Sequence, residues 1–262
     1  MIDTAVNVSV LCVVAMVQGV AQLHDVVYII CWGSSTIFRF NSTTHQRLPD
    51  IDKELKELYY IVACERTSQL YVSDNLCIWR VSSDGKDMKR CLPKSSSDTF
   101  IHANTLSVTS TRLLVATHFP SQLIQFDSDG DELRRVQLPD DMRLRHAVES
   151  PTGTFIVSRD NEQYQVVEVN TGGEVLRQFR CLPSFRRAEH IAVDSHGNIF
   201  VVDLYNNRIL LLDAHLSLRR VIIDEDQLNY KQPVHLCYRE QSGQLLVGLY
   251  NGSVAVFDGL CR

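Results

Sequence analysis

The sequence predicts an all-β fold, a six-bladed β-propeller whose ring is closed by its own N-terminal strand. Three observations carry this expectation. Apolar runs recur at a near-constant interval along the 262 residues. Each interval holds four short strand-like segments joined by tight turns. Helical periodicity is nearly absent. The runs lie at 26–29, 70–72, 113–115, 155–157, 199–202 and 245–247, and their anchors Tyr28, Tyr71, Leu114, Ile156, Phe200 and Leu246 stand 43, 43, 42, 44 and 46 residues apart. Four strands in about 43 residues match one propeller blade, and a blade covers both of its faces only when neighbours stack against it.

In chain order the first element is residues 6–14. The stretch is apolar, but Asn7 and Ser9 interrupt it, Asp3 precedes it and no Lys or Arg stands before it. Those features argue against a signal peptide, and the run is too short to span a bilayer. It reads as a spare strand. Blades follow at roughly 19–50, 56–93, 103–139, 142–180, 188–223 and 230–262. The last of these holds three strands, near 234–238, 244–249 and 253–257, and lacks a fourth. Residues 6–14 are expected to supply it and lock the ring, giving one propeller domain over 1–262. The fifth unit shows the blade grammar most plainly: 190–194, a turn at 195–198, 199–203, a loop, 208–213, a second turn, then 218–222. Asp84-Gly85, Asp129-Gly130 and Gly172-Gly173 supply the positive φ of tight hairpins. Residues 50–58 alone suggest a short turn of helix.

Composition narrows the function classes. With 45% hydrophobic and 22% charged residues the chain can bury a large core. A net charge of −5 excludes a wholly basic footprint for nucleic acid. The eight cysteines include no Cys-x-x-Cys pair and lie mostly in apolar runs, which reads as small core side chains in a reducing, cytoplasmic setting. Secretion is the alternative if residues 1–23 are a signal peptide. No Gly-x-Ser-x-Gly, P-loop, dinucleotide fingerprint or His-Glu-x-x-His occurs, so no catalytic set can be assembled and no cofactor is expected. No membrane partner is expected, and the chain reads as a monomer.

Two constellations remain. His146, His190 and His235 fall near the starts of inner strands in consecutive blades, where side chains face the central channel. Converging imidazoles there are candidate metal ligands. His146 reads one residue out of step, and the matching positions in other blades hold Ile61 and Thr105, so polar channel lining is the simpler reading. The second constellation is one face of the disc. Its loops carry Trp32, Phe119, Arg143, Arg145, Arg159, Arg186, Arg187, Tyr205, Asn206 and Tyr250, a mixture suited to a protein hot spot or a base-stacking platform. Basic residues in the outermost strands (Lys89/Arg90, Arg134/Arg135, Arg177/Arg180, Arg219/Arg220) read as protection of exposed edges.

The segment from Ala192 to Asp203, with its Gly197-Asn198 turn, followed by Asn206-Asn207-Arg208-Ile209, resembles an NHL repeat. The resemblance is specific in this unit and weaker elsewhere; the second unit keeps Val72-Ser73-Asp74 but lacks the Arg. It implies a six-bladed propeller like those of tripartite-motif proteins, which bind proteins or RNA. The resulting expectation is a non-catalytic binding scaffold that engages a protein partner through its loop face. One alternative is single-stranded RNA on the Arg-bearing face. The other is a channel-metal hydrolase or lyase, similar to gluconolactonase-like propellers and the amidating lyase. Both of those hold a channel metal, the former through acidic and amide ligands at inner-strand entries. This chain lacks that acidic set.

Overall fold

A computed structural model describes residues 9–13, 15–52, 55–74, 76–92, 105–117, 120–159, 166–179, 187–229 and 231–259. They form six four-stranded antiparallel sheets. A strand near the N-terminus, β1 (Ser9–Cys12), is followed by blade 1, made of β2 (Val17–Leu23), β3 (Val26–Cys31), β4 (Ile37–Asn41) and β5 (Arg47–Ile51). Blade 2 comprises β6 (Leu58–Cys64), β7 (Gln69–Asp74), β8 (Ile78–Ser82) and β9 (Met88–Leu92). Blade 3 comprises β10 (Thr105–Thr109), β11 (Arg112–Thr117), β12 (Gln122–Phe126) and β13 (Glu132–Gln137). Blade 4 comprises β14 (Leu144–Glu149), β15 (Phe155–Arg159), β16 (Val166–Val169) and β17 (Val175–Phe179). Blade 5 comprises β18 (Ala188–Val193), β19 (Ile199–Asp203), β20 (Arg208–Leu212) and β21 (Leu218–Ile223). Blade 6 comprises β22 (Pro233–Arg239), β23 (Gln244–Leu249) and β24 (Ser253–Phe257), with β1 as its outer strand.

The ring therefore closes as the sequence predicts. β1 runs antiparallel to β24, Ser9 opposite Val256 and Cys12 opposite Ser253; residues 6–8 and 14 of the expected closing strand lie outside the described residues. The turn before β24 must be glycine. Gly252 has φ +82°, and a Cβ there would stand 2.7 Å from the Ala15 carbonyl oxygen and 2.8 Å from that of Val13, closer than any side chain tolerates.

The core is six layers, one between each pair of neighbouring blades. Phe200, Val202 and Ile209 of blade 5 pack on Leu245, Val247 and Phe257 of blade 6. At the seam, Val20, Val27 and Ile29 of blade 1 pack on Leu246, Val254 and Val256, with Leu11 of β1 beside them. The two inner-middle strands of each blade are buried on both faces, which is why they read as near-continuous apolar runs. The outer strands of blades 1 to 5 are the most exposed of each blade, β13 and β17 at nearly every position. Lys89, Arg90, Arg134, Arg135, Arg177, Arg219 and Arg220 all lie on them; Arg180 lies outside the described residues.

One local expectation is corrected. β5 runs through Ile51, and no helix occupies the described part of 50–58. The extended pairing of Ile37 with Ile51 outweighs the local helical pattern. The helical turns among the described residues are Glu65–Thr67 and Leu204–Asn206, both 3-10. Among those residues no helix is long and apolar enough to cross a membrane.

Candidate active site at the channel mouth

Each inner strand turns its early residues toward the ring axis, and the register of pairing shifts there in blades 1, 2, 4, 5 and 6. With that shift included, Gly19 opposes Ile30, Tyr60 opposes Ser73, Thr105 opposes Ala116, His146 opposes Ser158 and His235 opposes Gly248. His190 stands just before Ile191, which opposes Val201. These six residues are equivalent. His146 is therefore in step with the other histidines, and blade 2 contributes Tyr60, not Ile61. The irregular start of the strand, invisible to residue counting, accounts for both corrections.

Gly19 brings no side chain to the axis and Thr105 a small one, which leaves room for four rings. His146 and His190 stack with centroids 3.8 Å apart and planes 20° apart. His190 and His235 lie 3.9 Å apart. Tyr60 flanks all three at 5.6, 5.9 and 5.2 Å. The histidines are 2, 5 and 3% exposed. Burial holds all three neutral: it lowers His146 to about 4 and His235 to about 3, and takes His190 well below the usual range, with the neighbouring imidazoles adding to the effect. Burial likewise raises the Tyr60 phenol well above 10, so it keeps its proton.

Their hydrogen bonding differs sharply. His146 Nδ1 accepts from the Ile191 amide at 3.4 Å, which leaves the proton on Nε2, 3.4 Å from the Leu106 carbonyl oxygen. His235 Nδ1 accepts from the Val20 amide at 3.4 Å. Neither nitrogen of His190 meets a partner among the described residues, nor do His235 Nε2 and Thr105 Oγ1. Orphaned buried groups gathered at one level of a fold point to a site, because a purely structural core would satisfy them.

The ring stack forms the floor between two cavities. Above it opens a mouth of about 800 Å³, and below it a narrower funnel of about 250 Å³ that also touches His146. His190 and His235 line both. Around the mouth, Glu189 sits between Arg187, whose Nε donates at 2.6 Å, and Arg145, at 3.9 Å. Arg187 also donates to the Tyr205 hydroxyl at 3.2 Å.

Of the ten face residues expected from sequence, Trp32, Arg145, Arg187, Tyr205 and Tyr250 line this mouth. Arg143 and Arg159 do not reach its lining. Asn206 instead donates to Asp203 Oδ2 at 2.8 Å, beside Arg208 Nε at 2.7 Å on the same oxygen, so it locks the hairpin. Phe119 and Arg186 lie outside the described residues. Tyr60 and Glu189 were not foreseen. A usable signal for Tyr60 exists: each axis residue in blades 2 to 6 precedes a buried apolar one, namely Ile61, Leu106, Ala147, Ile191 and Leu236.

The residues present do not fit the channel metal that the resemblance to gluconolactonase-like propellers implies. Imidazole lone pairs lie in the ring plane, so the stacked His146 and His190 rings send theirs side by side and not toward one point, and His235, tilted 44° from His190, has Nδ1 engaged by the Val20 amide. Asp74 is engaged by two backbone amides and Trp79 Nε1, and Glu189 by the arginines. Among the described residues no three His, Cys, Asp or Glu side chains are grouped to hold an ion.

No family model matches the sequence, and no curated protein matches it. Solved structures do match. A gluconolactonase from Xanthomonas campestris superposes with a TM-score of 0.77 at 11% identity, over 98% of this chain and 91% of that one. A streptogramin B lyase gives 0.68 at 9%, over 97% of each. A catalytically inactive histidine-to-alanine variant of virginiamycin B lyase from Staphylococcus aureus, solved with quinupristin, gives 0.66 at 11%, over 93% and 80%. The chain is thus a six-bladed β-propeller with gluconolactonase-like neighbours. These neighbours correct the expectation of a non-catalytic scaffold: the matched proteins that share this fold are enzymes. The NHL-like segment carries the Asp203 hairpin lock, a matter of fold that says nothing of function.

Proposed function

We propose that this propeller is an enzyme that opens the C–O bond of an ester or lactone, by hydrolysis or elimination, in the mouth above the histidine stack. The observation that carries the reading is His190, buried at the floor of an open cavity with neither ring nitrogen engaged by a described residue. A neutral imidazole has one lone pair and one N–H, so it can both take and return a proton. In hydrolysis, His190 takes a proton from water as the water oxygen bonds to the acyl carbon. The bond to the leaving oxygen then breaks and that oxygen receives the proton. In elimination, the same nitrogen takes the proton from the carbon next to the C–O bond, a C=C bond forms and the carboxylate departs. Burial makes this imidazole a weak base in the resting site; negative charge developing on the adjacent substrate oxygen strengthens it as the reaction proceeds. Tyr60, protonated and packed on the same rings, is suited to donate a hydrogen bond to that oxygen. The unengaged histidine of this fold is consistent with the inactivating histidine substitution named for the virginiamycin B lyase.

The test is turnover of a panel of simple esters and lactones by the purified chain. His190→Ala should lower kcat at least ~100-fold while the variant keeps the far-ultraviolet circular dichroism of the folded chain. Failure of the wild-type chain to open any member would overturn the reading. The thiols of Cys31, Cys64, Cys77 and Cys237 are unpaired in disulfides, which supports the reducing compartment expected from composition. The Asp203–Arg208 lock supports kinship of blade 5 with NHL repeats.

A further inference from the structure

Three aromatic side chains stand exposed on one arc of the mouth. Trp32 is 61% exposed, Tyr250 57% and Tyr205 47%. They belong to blades 1, 6 and 5, which are consecutive around the ring, and each follows the second strand of its blade within two residues. Their backbones or side chains are anchored. The Trp32 amide donates to the Met16 carbonyl at 2.9 Å and the Tyr250 amide to that of Gln232 at 2.9 Å. The Tyr205 hydroxyl is held by Arg187, whose guanidinium also lies 5.8 Å from the ring centroid. Large aromatic faces held out to water on rigid turns bury substantial apolar area once a ligand covers them.

The polar surroundings narrow the ligand further. Here the charged groups at this level are engaged with one another: Glu189 with Arg187 and Arg145, and Asp74 with two amides and Trp79. Among the described lining residues the two cations and two carboxylates also balance, so they give the mouth no net charge to select an ion. The cavity, at about 800 Å³, falls in the range of sites for drug-sized ligands.

We infer that the substrate of this site is a neutral aryl ester or aryl lactone, its flat ring stacked on the Trp32–Tyr250–Tyr205 arc and its carbonyl carbon over His190. The inference rests on the catalytic reading above for the fate of the C–O bond, but not for binding. Two measurements separate them. The first is calorimetric titration with coumarin, a stable aryl lactone. Wild type and His190→Ala should both bind it, Trp32→Ala and Tyr250→Ala should each weaken binding about 3- to 10-fold, and Trp32→Phe should restore most of the loss. The second is kcat/KM for dihydrocoumarin and phenyl acetate against δ-gluconolactone and ethyl acetate, with the aryl members expected to be favoured and to lose that advantage in Trp32→Ala. Arc-dependent coumarin binding without any turnover would uphold the ligand class and overturn the enzyme. Turnover of the sugar lactone at least equal to that of dihydrocoumarin, unchanged in Trp32→Ala and Tyr250→Ala, would overturn the ligand class and uphold the enzyme. Neither binding nor turnover would overturn both.

Discussion

Asp203 and His190 sit on neighbouring strands of the same blade, and both are buried. Asp203 is 0% exposed, yet one carboxylate oxygen accepts from Arg208 Nε and Asn206 Nδ2 at 2.7 and 2.8 Å. His190 is 5% exposed and its two nitrogens accept and donate nothing among the described residues. The first group is polar because the hairpin needs a lock. The second is polar although the fold gives it nothing to do. The contrast separates residues that hold this propeller together from those that it holds ready, since a buried polar group without a partner lowers stability and persists only where something else requires it.

The largest effect expected from this contrast is an acid limb. Three imidazoles held below their unfolded value near 6.5 bind protons more readily in the unfolded chain. Their effect on stability is therefore nil well above pH 6.5 and grows as pH falls toward their folded values, about 4 for His146 and about 3 for His235. Each contributes about 1.4 kcal/mol per pH unit in that window, so the three together should remove about 4 kcal/mol per unit below pH 6. Urea midpoints measured from pH 7 to pH 4.5 would show it, and His146→Gln/His235→Asn should flatten the slope by about two thirds. A slope unchanged in that variant would place the acid sensitivity elsewhere and break the account of a neutral stack.

Next in size is the lock. Asp203→Ala leaves Arg208 and Asn206 without the acceptor they share, at a position where the carboxylate is 0% exposed. The expected cost is about 3–5 kcal/mol, as for breaking a buried pair from one side, read from urea unfolding at pH 7. A cost below about 1 kcal/mol would show the pair behaving as a surface ion pair and erase the contrast with His190.

The same two residues show what could be read from sequence. The repeat was legible because its anchors are core residues: Tyr28, Tyr71, Leu114, Ile156, Phe200 and Leu246 are all buried, and burial on both faces forces apolar identity at fixed spacing. Ring closure was legible because the last blade is one strand short. Asp203 and Arg208 were legible as positions of the NHL-like segment. The histidines were visible too, but not their meaning. Their common level depends on register shifts in the inner strands, and Tyr60 looks like core in an apolar run. Whether a buried nitrogen has a partner depends on strands more than 40 residues away, as with Ile191 and His146. Function was misread for a related reason: the most specific local signature lies in the lock, and a lock says nothing of the channel.

A smaller effect refines the lock. Arg208→Lys keeps the positive charge but loses the planar fork that meets the Asp203 oxygen. Stability should fall by about 1–2 kcal/mol, between wild type and Asp203→Ala, if directional hydrogen bonding and not charge alone holds the hairpin. A full loss equal to that of Asp203→Ala would assign the whole effect to guanidinium geometry.

The smallest stability change is expected at the most consequential residue. His190→Leu replaces an imidazole with a side chain of similar bulk that has no polar atoms to satisfy, in a layer of rings and apolar neighbours. No hydrogen bond to a described residue is lost, because none is made, and the desolvation of two ring nitrogens is removed. Thermal and urea unfolding at pH 7 should place the variant within about 1 kcal/mol of wild type, on the stable side. Turnover should vanish with the proton-moving nitrogen. A destabilisation of 3 kcal/mol or more, in the range of a buried pair broken from one side, would mean that His190 carries the channel's packing after all. Asp203 and His190 would then be two forms of the same structural device.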